Sequence, residues 1–153
     1  DRITSEKNLF ADDLKLFQRI VSPQDCVKLQ HNIDIVVQWC HENRLTLNED
    51  KCSVVSYTKK LVPVTFSYHI LGSCLERKDN IRDLGIIFDS KFSFNNHIID
   101  VIEKAYKMFG FIYRNCRDFT NITTLTQLFY ALVRSRLEYG AIIWYPMFNR
   151  YSY

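Results

Sequence analysis

Two adjacent carboxylates, Asp12 and Asp13, stand between apolar residues on both sides, Leu9-Phe10-Ala11 before them and Leu14, Leu16 and Phe17 after. Hard divalent cations prefer oxygen ligands, and Mg²⁺ commonly takes one or two protein carboxylates together with substrate phosphates. In two-metal nucleotidyl transfer such carboxylates hold ions ~3.5–4 Å apart, one activating an attacking 3′-oxygen and the other stabilising the leaving pyrophosphate. A solvated turn or helix start is the commoner use of an Asp-Asp pair, so the elements around it decide what it can do.

Leu9 to Phe17 reads as two short strands joined by a tight acidic turn, because Asp tolerates turn geometry; a single amphipathic helix fits the same letters almost as well. Ser22-Pro23 starts a helix, with Ser as cap, Pro at the first helical position and Asp25 in the first turn. It should run to about Asn43, its apolar stripe being Cys26, Leu29, Ile33, Val36/Val37 and Cys40, flanked by Trp39. Lys51 to Tyr57, Val64 to Leu71 and Leu84 to Phe88 read as strands, and residues 66–89 as one or two hairpins. From Asn95 the period becomes helical, with Ile98, Ile102, Ala105, Phe109, Ile112 and Cys116 as the stripe. A second helix should run from near Asn121 to Leu137, with Leu125, Leu128, Leu132 and Val133 facing inward. The expected class is α+β, with a mixed region over residues 1–92 and a helical one over 93–153.

The chain has 153 residues, 47% of them hydrophobic, with only 4 Gly and 3 Pro, which excludes collagen and a disordered tail. Its net charge is +3, but residues 104–136 carry Lys104, Lys107, Arg114, Arg117, Arg134 and Arg136 against Asp118 alone, a local +5 that leaves −2 for the rest. Such a segment can face an anionic polymer, or it can be an ordinary solvated helix face. The 5 cysteines include no C-x-x-C pair, which argues against a zinc site. Cys26, Cys40 and Cys116 fall on the apolar stripes, as free thiols do in a reducing, intracellular setting. His31, His41, His69 and His97 share no metal spacing. No secretory signal opens the chain and no run approaches the ~20 apolar residues of a spanning helix, so no membrane is expected. The chain opens on Asp1 without an initiator Met and stops abruptly at Tyr153, so a piece of a longer protein is expected.

Phe10-Ala11-Asp12-Asp13 resembles the [YF]-A-D-D hairpin of reverse transcriptases. LQHNIDIVVQWCHENRLTLNEDKCSVVSY (Leu29 to Tyr57) resembles the W-C-x-x-N-x-L-x-L-N-x-x-K-C block that follows that hairpin in LINE-type, jockey-like retrotransposon reverse transcriptases. DLGIIFDSKFSFNNHI (Asp83 to Ile98) is similar to their next block, and KAYKMFGFIYRNCRDF (Lys104 to Phe119) and ALVRSRLEYGAIIWYP (Ala131 to Pro146) to their thumb-region blocks. The blocks occur in the family's order from about Leu9 to Pro146.

The resemblance implies the C-terminal part of a polymerase palm, a small antiparallel sheet with a helix, followed by an all-helical thumb that grips the template-primer duplex. Asp12 would be the principal Mg²⁺ ligand and Asp13 its helper, with Phe10 near the primer end. Asp83, Leu84 and Gly85 would belong to the hairpin supporting the primer, and the six cations from Lys104 to Arg136 would bind nucleic acid. Lys51 falls where polymerases often keep a basic residue that could protonate the leaving pyrophosphate; a plain surface lysine at a strand start is the other reading. Tyr106, Tyr113, Trp144 and Tyr145 could stack on bases, although their spacing and position point to the core. Implied partners are an RNA template, a DNA primer and deoxynucleotides in the full-length enzyme. The implied location is cytoplasm and nucleus, within a retrotransposon ribonucleoprotein. Fingers, a nucleotide-binding block and an upstream catalytic Asp are not in the chain, so alone it should not polymerise DNA. Missing palm strands should leave an exposed sheet edge beside the hairpin. A decayed or domesticated remnant, acting as a nucleic-acid-binding or interaction module, is the alternative.

Overall fold

Ala11 and Asp12 alone separate strand β1 (Glu6–Phe10) from strand β2 (Asp13–Phe17), which pair antiparallel from Glu6 opposite Phe17 to Phe10 opposite Asp13. The hairpin reading of this segment therefore holds, and the helical one does not. These features come from a computed structural model, which describes residues 3–61 and 64–145. The chain divides into two compact units, Asp1–Asp79 and Asn80–Tyr153. The change to helical period near Lys91 to Asn95 thus lies inside the second unit.

In the first unit, helix α1 (Pro23–Glu42) begins where the sequence places it. The Asp25 carboxylate accepts hydrogen bonds from the backbone N–H groups of Ser22 (2.9 Å) and Val21 (3.1 Å) and from the Ser22 hydroxyl (3.0 Å), satisfying donors that a helix start leaves open. These bonds, the Ser22 N–H first, hold the Asp25 carboxyl down at about 2. The helix closes with Arg44 at φ +57° and Leu45 N–H donating to the Cys40 carbonyl at 2.8 Å. Cys26 and Ile33 of its apolar stripe join Tyr68 and Ile70 as the buried core, with Leu16, Ile20 and Leu47 packed against it.

The strands expected over Lys51–Tyr57 and Val64–Leu71 are much shorter. β3 (Ser53–Val54) pairs in parallel with β6 (Glu76–Arg77), and β4 (His69–Ile70) pairs antiparallel with β5 (Ser73–Cys74). A strand lasts only as long as its partner, whatever its residues prefer. Gln30 of α1 takes a strand's place at β4: its Oε1 accepts from His69 N–H at 2.8 Å and its Nε2 donates to the His69 carbonyl at 2.9 Å.

In the second unit, β7 (Asn80–Asp83) and β8 (Ile86–Asp89) form a hairpin, so residues 66–89 hold two. Both close on a Leu-Gly pair with both residues at positive φ, Leu71 (+51°) with Gly72 (+90°) and Leu84 (+44°) with Gly85 (+86°). That twist suits a two-residue hairpin turn, and glycine carries the second position without strain. The Asp89 carboxylate then accepts from the N–H groups of Lys91 (2.9 Å), Ser93 (3.0 Å) and Phe94 (2.7 Å) and launches helix α2 (Asn95–Asn115). Asn121 caps helix α3 (Ile122–Phe129), accepting from Thr123 N–H at 2.9 Å. The expected single helix to Leu137 is interrupted by a π-helical turn, Tyr130–Arg134, before α4 (Ser135–Glu138), and α5 (Ala141–Trp144) follows. Ala105, Ile112 and Val133 form the core here, with Met108, Leu128 and Leu132 packed on it. The chain is α+β, built of helices and small, mostly antiparallel two-stranded sheets.

Candidate functional site

The hairpin presents the acidic pair at its tip. Asp12 lies in the two-residue turn, after Ala11 at φ +52°, and Asp13 is the first residue of β2, directly across from Phe10. Cross-strand partners share a face, so Phe10 and Asp13 lie on one side of the ribbon while Leu9 and Leu14, the next pair, lie on the other with Leu16. Asp12 and Asp13 are exposed, and Phe10 is 60% exposed. Neither carboxylate makes a hydrogen bond or ion pair among the described residues, so both keep their oxygens available to a cation.

What steadies this tip is a polar lock at its base that the sequence did not signal. Asn32, 1% exposed on α1, accepts from Thr4 N–H at 3.0 Å and donates to the Ser5 hydroxyl at 2.7 Å and to the Lys28 carbonyl at 2.9 Å. Ser5 in turn donates to Gln18 Oε1 at 3.0 Å, so both ends of the ribbon are tied to one another and to the helix. A buried amide with its bonds made fixes position better than an apolar contact of the same area. Beyond the lock the ribbon has no further strand among the described residues, and every residue of β1 is exposed. The expected exposed edge beside the hairpin is there.

Lys51 is exposed, but it closes a 3₁₀ turn (Glu49–Lys51) rather than starting a strand, because the Asn48 side chain caps that turn by accepting from Lys51 N–H at 3.3 Å. Among the described residues no hydrogen bond or ion pair joins it to Asp12 or Asp13, and no group of three or more His, Cys, Asp or Glu side chains is gathered as a metal cluster. Two carboxylates plus substrate phosphates remain a donor set that Mg²⁺ accepts.

Asp83, Leu84 and Gly85 occupy the end of β7 and its turn in the second unit. Tyr139 supports that turn by donating its hydroxyl to the Leu84 carbonyl at 2.8 Å.

The six cations differ in how much charge they leave exposed to a ligand. Lys104 is bound to Asp100 at 2.8 Å, which also holds Arg82 at 3.2 Å, and Arg134 is bound to Glu138 at 2.6 Å. Lys107, Arg114, Arg117 and Arg136 make no ion pair among the described residues. Arg117 lies over the Tyr113 ring at 5.5 Å and Arg134 over Tyr130 at 5.1 Å.

Three aromatic assignments need correction. Tyr106 and Tyr113 are exposed rather than in the core, as is Tyr145, whereas Trp144 is buried as expected, edge-on to His97 with ring centres 5.2 Å apart. The reason is that α2 is apolar around more than half of its circumference: Val101, Ala105 and Ile112 are buried, while Ile102 and Phe109 of the expected stripe lie outside. Periodicity alone cannot choose the centre of so wide a face. No family model, curated protein or solved structure matches this chain. No helix of the described residues is long and apolar enough to cross a membrane.

Proposed function

We propose that the chain is the C-terminal palm hairpin and thumb part of a LINE-type retrotransposon reverse transcriptase, an RNA-directed DNA polymerase. The observation that carries this reading is the two-residue turn that sets Asp12 at the tip of a β-ribbon, with Asp13 and Phe10 paired behind it. Asp12 and Asp13 would hold Mg²⁺, which supplies activation of the primer's 3′-oxygen and charge neutralisation on the phosphates. The chain's own residues orient the reactants: the Asn32–Ser5–Gln18 lock fixes the ribbon, and Phe10, on the Asp13 face, offers an aromatic surface to the primer end. Lys51 is the proton donor of this reading, and the turn at Asp83–Gly85 its primer support.

A chimera tests it, in which this chain replaces the matching segment of an active LINE-type reverse transcriptase. Mg²⁺-dependent extension of a DNA primer on RNA is expected, with Asp12→Asn abolishing it. A chimera that melts cooperatively and binds primer-template, yet extends nothing with Asp12 intact, would overturn the assignment.

One observation favours a second reading. The outer surface of the helical unit combines unpaired cations with exposed aromatic rings, as a nucleic-acid-binding module without catalysis would. Duplex binding by the chain alone, weak and steeply weakened by salt, is the expected behaviour in either case.

A further inference from the structure

Helix α2 has a second apolar row that its own unit does not use. Tyr106, Phe109 and Tyr113 are 73%, 51% and 64% exposed and recur at spacings of three and four, so they line one side of the helix outside the buried Val101, Ala105 and Ile112. Each tyrosine is followed directly by a cation, Lys107 and Arg114, which places a basic row about 100° round the helix from the aromatic one, within reach of long side chains. Arg117 leans over the Tyr113 ring at 5.5 Å. Between Glu103 and Asp118 every charged residue is positive.

We infer that this face of α2 is a platform for single-stranded nucleic acid, with unpaired bases stacked on Tyr106, Phe109 and Tyr113 and the phosphates along Lys107 and Arg114. The inference rests on the nucleic-acid reading above and narrows it from duplex grip to unpaired bases. At 1.5 Å per residue the three rings stand ~4.5 and ~6 Å apart along the helix, and Lys107 and Arg114 ~10 Å apart, a span of about two nucleotides. A duplex keeps its base faces stacked inside and gains nothing from exposed rings, whereas each unpaired base offers a π-face to one. A protein partner would gain from the same rings, but it would have to bury Lys107, Arg114 and Arg117 without a carboxylate of this segment to pair them; a phosphodiester strand brings the complementary charge with it.

The test uses the whole chain and fluorescently labelled 12-mers: oligo-dT, oligo-rU, a DNA duplex and an RNA–DNA hybrid, titrated by anisotropy at several salt concentrations. The single strands should bind more tightly than the duplexes. Replacing Tyr106, Phe109 and Tyr113 together by Ala should weaken single-strand binding by on the order of tenfold or more while leaving duplex affinity within about twofold. Tyr113→Phe, which keeps the ring, should retain single-strand affinity. Thermal melting of each variant shows that it is folded, as expected for substitutions at exposed positions. Salt-dependent duplex binding without a single-strand preference would overturn the platform and leave the nucleic-acid reading standing. No binding to any of the four ligands would overturn both. A dimer in sedimentation that the triple variant dissociates would assign the face to a second copy of the chain and overturn the platform.

Discussion

Tyr139 donates its phenol hydrogen to the Leu84 carbonyl across 2.8 Å, tying a residue after α4 to the turn of the β7–β8 hairpin. The contact is close: a Cβ on Gly85 would lie 3.3 Å from Tyr139 Cε1, and Gly85 also sits at φ +86°. Tyr139→Phe should cost about 0.5–1 kcal/mol, the worth of one partly exposed hydrogen bond. Gly85→Ala should cost more, about 1–2 kcal/mol, because it adds left-handed strain to the crowding. Urea unfolding measures both, and a neutral Gly85→Ala would contradict the account of the turn.

Asn32→Leu should destabilise the first unit by about 1–3 kcal/mol, since it removes the acceptor of the Thr4 amide and the donor to the buried Ser5 hydroxyl, which keeps only its bond to Gln18. Amide exchange in β1 and β2 should quicken more than in the middle of α1. Equal acceleration throughout would mean that Asn32 merely fills space.

Acidification should destabilise the second unit through His97. This side chain is buried, its Nδ1 accepts from Ile87 N–H at 3.3 Å, and its Nε2 has no hydrogen-bond partner among the described residues. Burial pushes its pKa below the usual 6.5, opposed by Asp100 and reinforced by Arg82 and Lys104. The unfolded chain therefore binds the proton first, and the stabilisation from a neutral His97 is present above about pH 6.5 and lost as pH falls through that value toward the folded pKa. The melting temperature should drop between pH 7.5 and 5, and a His97→Phe variant should lack that component of the drop.

On the proposed reading, the chain supplied alone with primer-template, deoxynucleotides and Mg²⁺ should extend nothing, because Asp12 and Asp13 are not joined by a further carboxylate among the described residues and two-metal transfer needs a fuller donor set. Incorporation that disappears in Asp12→Asn would refute this.

Binding to B-form duplex should follow counterion release, with each phosphate-neutralising side chain adding about 0.9 to the log–log salt slope. Replacing Arg114 and Arg117 by Ala should flatten it by up to roughly two units. Lys104→Ala and Arg134→Ala should change it less, since Asp100 and Glu138 already partly neutralise those cations. An unchanged slope in the Arg114/Arg117 variant, with a lower melting temperature, would assign both arginines to stability.

Local signals in the sequence carried the Ser22-Pro23 helix start and the helix from Asn95, because each depends on residues within a few positions of one another, whereas at Leu9 to Phe17 they left hairpin and helix nearly balanced. The two-residue extents of β3 and β4 were not legible, since they depend on which distant strand arrives to pair. Asn32 was invisible for the same reason: an Asn inside an apolar stripe looks like a blemish until Thr4 and Ser5 are seen to surround it. For the acidic pair, the sequence offered a turn or a helix and the resemblance only an expected chemistry, while the geometry decides for the turn and adds which face Phe10 and Asp13 share. Tyr106 and Tyr113 misled because helical spacing tells that residues share a face, not that anything covers it.

The π-helical turn at Tyr130–Arg134, where Ser135 N–H reaches back to the Tyr130 carbonyl, holds one residue more than an α-helix would place there. It can be viewed as an insertion absorbed without a loop. Deleting one residue within it would restore uninterrupted α-helical bonding yet turn everything after it by ~100° and draw it back by ~1.5 Å. Tyr139 would then swing away from Leu84, and Gly140, whose missing side chain makes room for Ile86, would lose that fit. The seam between helix and hairpin is therefore set by chain length at this turn, and a relative one residue shorter here would have to close its β7–β8 turn with a different side chain.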